Sequence, residues 1–416
     1  MSRKHSIAMV AACPFPANYG SPAAIRELAI ALAGRGHDIH IVTYPHGDDM
    51  PLGSAKLHRV CFGKNSRRIS VGPSLDKPLL DFLLLLKLCR VIREEGIEII
   101  HAHNYEGQLI GIAAKLLTRK PLIYNAVNLM SDELPTYRFI RPAFIAKAVA
   151  RLLDRIAPIA ADEIIALTPE IRDTLLSVGC RHERMSVVPC GIYPEIFDNA
   201  NPEALRKRYH LDWKRVILYA GVHSAFQRVD YLLRAFQLVR EHDPSTVLML
   251  VSPIDDKADR EANQSLARRL GIADHIILAG PHTLEELPSY LALADVAVVP
   301  RCDCPGHPIK LLNYMAAAKP IVCFTGAAKG IRHNHDALLV PDHDWHRLGD
   351  GILRLLRDPE LATRLAHNAR ETAVRDFDWR QLAQKVEHVY DSLVPSPIVA
   401  TADCAPKNLP IHHQPS

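Results

Sequence analysis

Of 416 residues nine are cysteine, and only Cys302 and Cys304 stand close together. No second C-x-C or C-x-x-C follows, and no histidine pair sits at zinc-finger spacing, which argues against a metal site. Scattered thiols point to a reducing cytosol. Long apolar runs are also missing. The longest, Leu79 to Leu88, is broken by Asp81 and Lys87 and falls well short of the roughly 20 residues that span a bilayer. It reads as a helix packed on a sheet, with a membrane-touching helix as the second reading. No basic helix interleaved with aromatics is present, and the net charge is only +4, so nucleic acid is not expected as a partner. The excess lies in residues 1–200, which hold 24 Lys and Arg against 20 Asp and Glu. That surplus reads as a solvated basic face, with transient peripheral contact at an anionic membrane as the alternative.

What remains has the make-up of a globular protein, 48% hydrophobic and 23% charged. The length exceeds what one core serves, so two domains are expected. The opening MSRKHSIAMVAAC imitates a lipoprotein signal, but its apolar core is short and a Pro-Phe-Pro turn follows. A first β-strand is the expectation.

Short apolar runs then alternate with helical segments. Strands are expected at Ile7–Ala12, Ile39–Thr43, Ile97–His101, Leu122–Asn125 and Glu163–Leu167. Helices are expected at Ala23–Arg35, Leu79–Glu95, Glu106–Leu117, Pro142–Ala157 and Pro169–Val178. A second series places strands at Val216–Ala220, Val247–Val251, His275–Ala279, Val296–Pro300 and Ile321–Phe324. Continuous apolar strands separated by helices indicate α/β architecture, two doubly wound parallel sheets with both faces covered. The prolines and glycine between Pro189 and Pro202 mark a linker. The division expected is a first domain at 1–190, a linker at 191–205 and a second domain at 206–378. A helix at 379–393 would reach back to the first domain, and a disordered tail would fill 394–416. Such sheets bind ligands beyond the carboxyl ends of their strands, in a cleft between the domains.

The segment Cys304–Cys323, CPGHPIKLLNYMAAAKPIVC, carries the most chemistry. It follows an apolar strand, turns at Gly306 and His307, and enters a helix near Pro308. Proline suits that first turn because no acceptor awaits its N–H. The amides of Ile309, Lys310 and Leu311 would then point outward at the positive end of the helix dipole, with the Lys310 ammonium beside them. Strand, Gly turn and open helix start form a phosphate cradle. An ordinary strand–helix–strand unit without ligand fits the segment equally well.

Five segments together are similar to the retaining GT-B glycosyltransferases of glycosyltransferase family 4. They are CPFPANYGSPAAIRELAIALAGRGHDIHIVTY, VVPCGIYPEIF, YAGVHSAFQRVDYLLRAF, PGHPIKLLNYMAAAKPIV, and GIRHNHDALLVPDHDWHRLGDGILRLLRDPELATRL. The resemblance spans about residues 5–393. It implies two Rossmann-like lobes, a nucleotide-diphosphate sugar held mainly by the second and an acceptor held mainly by the first. The acceptor would be a glycan, a lipid-linked molecule or a small molecule. Transfer would retain the anomeric configuration, with no metal or other cofactor.

By the same resemblance the donor side comprises Gly20, Gly221, His223, Gln227, Arg228, Pro281, Gly306, His307, Ile309, Leu311 and Asn313. Lys310 would stabilise the diphosphate leaving group, as fixed cations and amides do in a dry cleft. Gly20 would bring backbone close to phosphate. Asn125, Asn128 and Glu133 would face the acceptor. Departures from the family pattern are specific. Pro305 and Asn313 stand where two glutamates are usual, Val222 and Gln227 where Arg and Lys are usual, and Asn125 and Val127 where Asp and His are usual. Proline offers the sugar no hydrogen bond, and asparagine offers ribose no charge. Arg228 would replace the missing cation or simply cover the helix surface. His103 and Glu106, after a strand end, would relay a proton, or His103 would be structural. Two other readings stay open: a noncatalytic partner of another transferase, and a nucleotide-sugar epimerase.

Overall fold

The computed structural model describes residues 3–394 except 18–19, 62–76, 135–142, 181–182 and positions 255, 284, 303, 305 and 307. The tail expected from 394 onward therefore lies, past Val394, outside the described residues.

The first sheet has seven strands: β1 Ser6–Ala11, β2 Asp38–Thr43, β3 Lys56–Arg59, β4 Ile99–His103, β5 Leu122–Ala126, β6 Glu163–Ala166 and β7 Met185–Val187. Their order is β3-β2-β1-β4-β5-β6-β7, and every pairing is parallel. The second has six: β8 Arg215–Ala220, β9 Thr246–Val251, β10 Ile276–Ala279, β11 Val296–Val299, β12 Ile321–Phe324 and β13 Leu338–Val340, in the order β10-β9-β8-β11-β12-β13. Central strands are sealed on both faces; every residue of β4, β5, β9 and β11 is buried. That is why they read as unbroken apolar runs.

In each sheet the winding direction reverses once, between β1 and β4 and between β8 and β11. Loops leaving those strand ends diverge and open a crevice, the usual binding position in such sheets. The two reversal points set the site.

The strand expected at Ile97–His101, third in the first series, is β4, and the pairing sets it two residues later, with Ile7 opposite Ile99 and Ala11 opposite His103. His103 is thereby a strand residue at the cleft end, not a loop residue.

The last helix, Trp379–Leu393, packs against the helix Gly20–Gly34 of the first lobe. Ile192 exchanges backbone hydrogen bonds with Phe377 and Trp379, at 2.8 and 3.1 Å, so outgoing linker and returning chain run side by side. Trp379 Nε1–H donates to Glu27, and His101 Nδ1 meets the Tyr390 hydroxyl at 2.8 Å. Arg35 and His37 both donate to the buried Glu387.

Candidate active site

At the β8/β11 reversal point the chain turns at Gly221, with φ +151, and its amide bonds Val251 O at 2.8 Å. A Cβ there would stand 2.9 Å from Lys310 Cε and Nζ and push the end of the lysine aside, and the φ itself favours glycine. Lys310 Nζ donates to the Tyr219 hydroxyl at 2.8 Å and to Gln227 Oε1 at 2.5 Å, and lies over the Tyr219 ring. The Tyr219 hydroxyl passes its own hydrogen to Val222 O at 2.7 Å. Burial, and then the Arg301 guanidinium, lower the Lys310 ammonium to about 7. Two oxygen dipoles hold this cation; an anion would restore its charge. Below it the Tyr314 hydroxyl bonds the Ala220 amide at 2.7 Å and fixes the end of β8.

The helix Ile309–Ala316 starts after Pro308, which is extended (φ −76, ψ 100) and offers no side-chain cap. Ile309 and Lys310 are half-buried, and Leu311 is fully buried. One expectation changes here: the Leu311 amide bends back to Pro308 O at 2.8 Å, which leaves Ile309 and Lys310 as the amides of the cradle. The start of this helix faces the other lobe. A Cβ on Gly306 would lie 3.0 Å from Asn128 Oδ1 and 3.3 Å from Val127 O. Asn313, one turn beyond Lys310, is half-buried. Pro305 and His307 lie outside the described residues.

Beside this cluster, His223 and Pro281 line a pocket with Ser252, Ile254, Leu278 and Gly280 at the ends of β8, β9 and β10. Arg228 is committed elsewhere. Its guanidinium makes two 2.9 Å bonds to Asp230 and lies 3.5 Å over the Tyr231 ring, which is the helix-surface alternative. Arg301, which the sequence reading passed over, stacks on Phe226 at 5.0 Å and acts on Lys310 through space. Its signal was its position, directly after the apolar β11 run at the reversal point. Tyr219 was missed because a tyrosine inside a strand reads as core.

In the first lobe Gly20 opens its helix with φ +54, and a Cβ there would meet nothing within 4 Å. The left-handed conformation favours glycine there, and no protein atom crowds the position. Asn125 and His103 meet at 3.1 Å, and His103 stacks on His101 with centroids 4.4 Å apart. Burial holds His103 neutral, down at about 3. It is not joined to Glu106, which pairs with Lys77 at 3.2 Å. The two residues thus have separate partners and do not form one hydrogen-bonded pair. Glu133 closes the short helix Met130–Glu133, which begins two residues past Asn128.

Away from the cleft, among the described residues, His40, His58 and Glu95 are the one cluster with metal-ligand donors in reach of each other. His40 Nδ1 and His58 Nε2 face each other at 3.0 Å across nearly parallel rings, as in a hydrogen bond.

Two facing Rossmann-like lobes with a crevice at their reversal points have the GT-B arrangement. The family model described as Glycosyltransferase Family 4 matches residues 20–196, and the one described as Glycosyl transferases group 1 matches residues 214–358. The chain belongs to this family and is a glycosyltransferase of the hexosyltransferase type. It is 27% identical over 392 residues to a D-inositol 3-phosphate glycosyltransferase of Thermobispora bispora, covering 88% of each chain. Among solved structures it resembles sucrose-phosphate synthase from Thermosynechococcus elongatus, with a TM-score of 0.79, 20% identity, and 94% and 99% of the two chains covered. It also resembles Anabaena HepE in complex with UDP-glucose, with a TM-score of 0.74, 17% identity, and 93% and 100% covered.

Proposed function

We propose that the chain transfers a hexosyl group from a nucleoside diphosphate sugar to an acceptor hydroxyl, with retention of configuration. The observation that carries this reading is Lys310, held by Tyr219 and Gln227 beside an uncapped helix start that faces Asn128 of the other lobe. A diphosphate seated there meets the ammonium, the Ile309 and Lys310 amides and the nearby Arg301. These would supply the positive charge, so the reaction needs no metal in this proposal. The pocket at His223 and Pro281 would take the nucleoside. HepE, a neighbour of the same fold, is described with UDP-glucose, which supports a nucleoside diphosphate sugar as the donor.

In the step itself the bond between the anomeric carbon and the phosphate oxygen breaks, and the bond to the acceptor oxygen forms on the same face. The acceptor proton passes to the departing phosphate oxygen. His103 is too deeply buried to serve as base, so the leaving group takes that role.

A thermal-shift screen against nucleoside diphosphate sugars tests the reading. A donor at 100 times its dissociation constant adds about 2.7 kcal/mol of stability. Lys310→Ala should lose donor turnover by about 100-fold, a loss typical of removing one transition-state donor. Turnover at the wild-type rate in that variant would place the diphosphate elsewhere. A donor-induced shift without any transfer or donor hydrolysis would favour a noncatalytic partner protein.

A further inference from the structure

The helix Ala143–Ile156 has its large and small side chains the wrong way round for a helix packed only on its own protein. Ala146 and Ala150 are fully buried, against Leu134 and Met130. Ile145, Val149, Leu152 and Ile156 are exposed by 40 to 57%. Their spacing, i, i+4, i+7 and i+11, makes one continuous apolar stripe on the solvent side. Phe144, exposed by 71%, lies off this stripe, three residues before Lys147 on the neighbouring flank.

Charge on this helix is arranged with equal regularity. Lys147, Arg151 and Arg155 recur every four residues and are exposed, forming a basic row on one flank of the stripe. The one acid, Asp154, is buried, where its two oxygens accept from the Met130 and Ser131 amides at 2.9 Å each. All exposed charge on the helix is therefore positive. Neighbouring helices extend the surface. Lys77–Glu94 exposes Leu79, Phe82 and Leu86, and it packs on Asn104–Thr118, which exposes Leu116 and Leu117. Gln108 and Lys115 of the latter bond Ala157 O and Ala160 O, at 3.1 and 3.0 Å, just past the basic helix. Twelve of the eighteen large apolar side chains exposed among the described residues lie between Leu79 and Ile159.

We infer that this face docks on an anionic phospholipid bilayer. The apolar stripe enters the acyl boundary, while the basic row, whose long stems reach upward, pairs with headgroup phosphates. At fourteen residues the helix is about 21 Å long, too short to cross and suited to lying in the interface plane. Asp154 clamps it to the helix Met130–Glu133, which starts two residues beyond Asn128 at the cleft. Docking by this helix would therefore hold the acceptor side of the cleft near the bilayer surface. Resting on the transferase reading above, that position selects a membrane-embedded, lipid-linked acceptor over a freely diffusing glycan.

The test is flotation of the full chain with phosphatidylcholine vesicles, with and without roughly one part in three phosphatidylglycerol. Wild type should float with the anionic vesicles and at least tenfold less with neutral ones, and salt should weaken the binding. Leu152→Glu with Ile156→Glu, or Lys147→Glu with Arg151→Glu, should each cut vesicle partitioning at least tenfold. Donor-induced thermal shifts should stay unchanged, because neither pair touches the donor cleft. Absence of flotation, or equal flotation of the variants, overturns the inference. So does a concentration-dependent dimer in light scattering that the same variants dissolve, since a second copy would then cover this face. Flotation without any donor shift would leave the docking face standing and remove the donor reading alone.

Discussion

Lys310 and His103 are both titratable groups whose charge burial disfavours, and they bear on the protein in different ways. Lys310 loses its proton near pH 7 in the free protein because burial and Arg301 disfavour the charge. A bound diphosphate favours that charge, so binding above pH 7 must take up a proton. Affinity for a nucleoside diphosphate sugar should be flat below about pH 7 and weaken by up to tenfold per pH unit above it. Isothermal titration from pH 6 to 9 in buffers of different ionisation enthalpy checks both the slope and the proton uptake. Lys310→Arg stays charged throughout this range and should flatten the curve. His103 works through stability. Its ordinary value of 6.5 falls to about 3 in the fold, and burial also lowers His101, which lies against it. Between those values the unfolded chain binds protons that the folded chain refuses. Stability should thus fall as pH drops below about 6.5, by up to about 1.4 kcal/mol per pH unit for His103 alone. Urea unfolding at several pH values measures the slope, and His103→Asn, which cannot titrate, should reduce it.

Among the elements, the returning helix Trp379–Leu393 joins the two lobes. Its Trp379 ring lies over Gly191, where a Cβ would be 2.5 Å from the indole, and its Nε1–H reaches Glu27. Trp379→Ala should cost about 3–5 kcal/mol, the range for removing a large buried aromatic. Gly191→Ala should cost about 1–3 kcal/mol through overpacking against the same ring. Chemical denaturation of each variant reads these losses directly. Central strands and long helices were legible in the sequence because burial on both faces writes a continuous apolar run. Three edge strands were not. β3 is Lys-Leu-His-Arg, β7 is the half-buried Met-Ser-Val, and β13 has only three residues. Edge positions face water on one side and lose the pattern that gives a strand away. The interior of the candidate site was less legible still. Lys310 and Gly221 stood in recognisable turns, but the Tyr219 hydroxyl reaches Lys310 from a strand 91 positions earlier, a distance that sequence spacing does not encode. The ion pair of Glu106 was hidden for a related reason: Lys77, its partner, is 29 positions away in the chain.

At the scale of the whole molecule, two sheets reverse their winding once each, and the reversal in the second supplies Gly221, Arg301 and the helix start at Ile309. Gly306, just before that helix start, lies against Asn128 and Val127 of the opposite lobe. In the proposed donor site Asn313, half-buried one turn beyond Lys310, offers a ribose hydrogen bonds but no charge. In the proposed reading, grip on the donor falls mainly to the diphosphate end. Amide hydrogen exchange across residues 301–314, with and without the donor that gives the largest thermal shift, examines that grip most directly. Ligand should slow exchange at Ile309 and Lys310, and Lys310→Ala should abolish the protection at matched donor concentration. Protection confined to other loops, with 301–314 unchanged while donor is bound, would contradict the site.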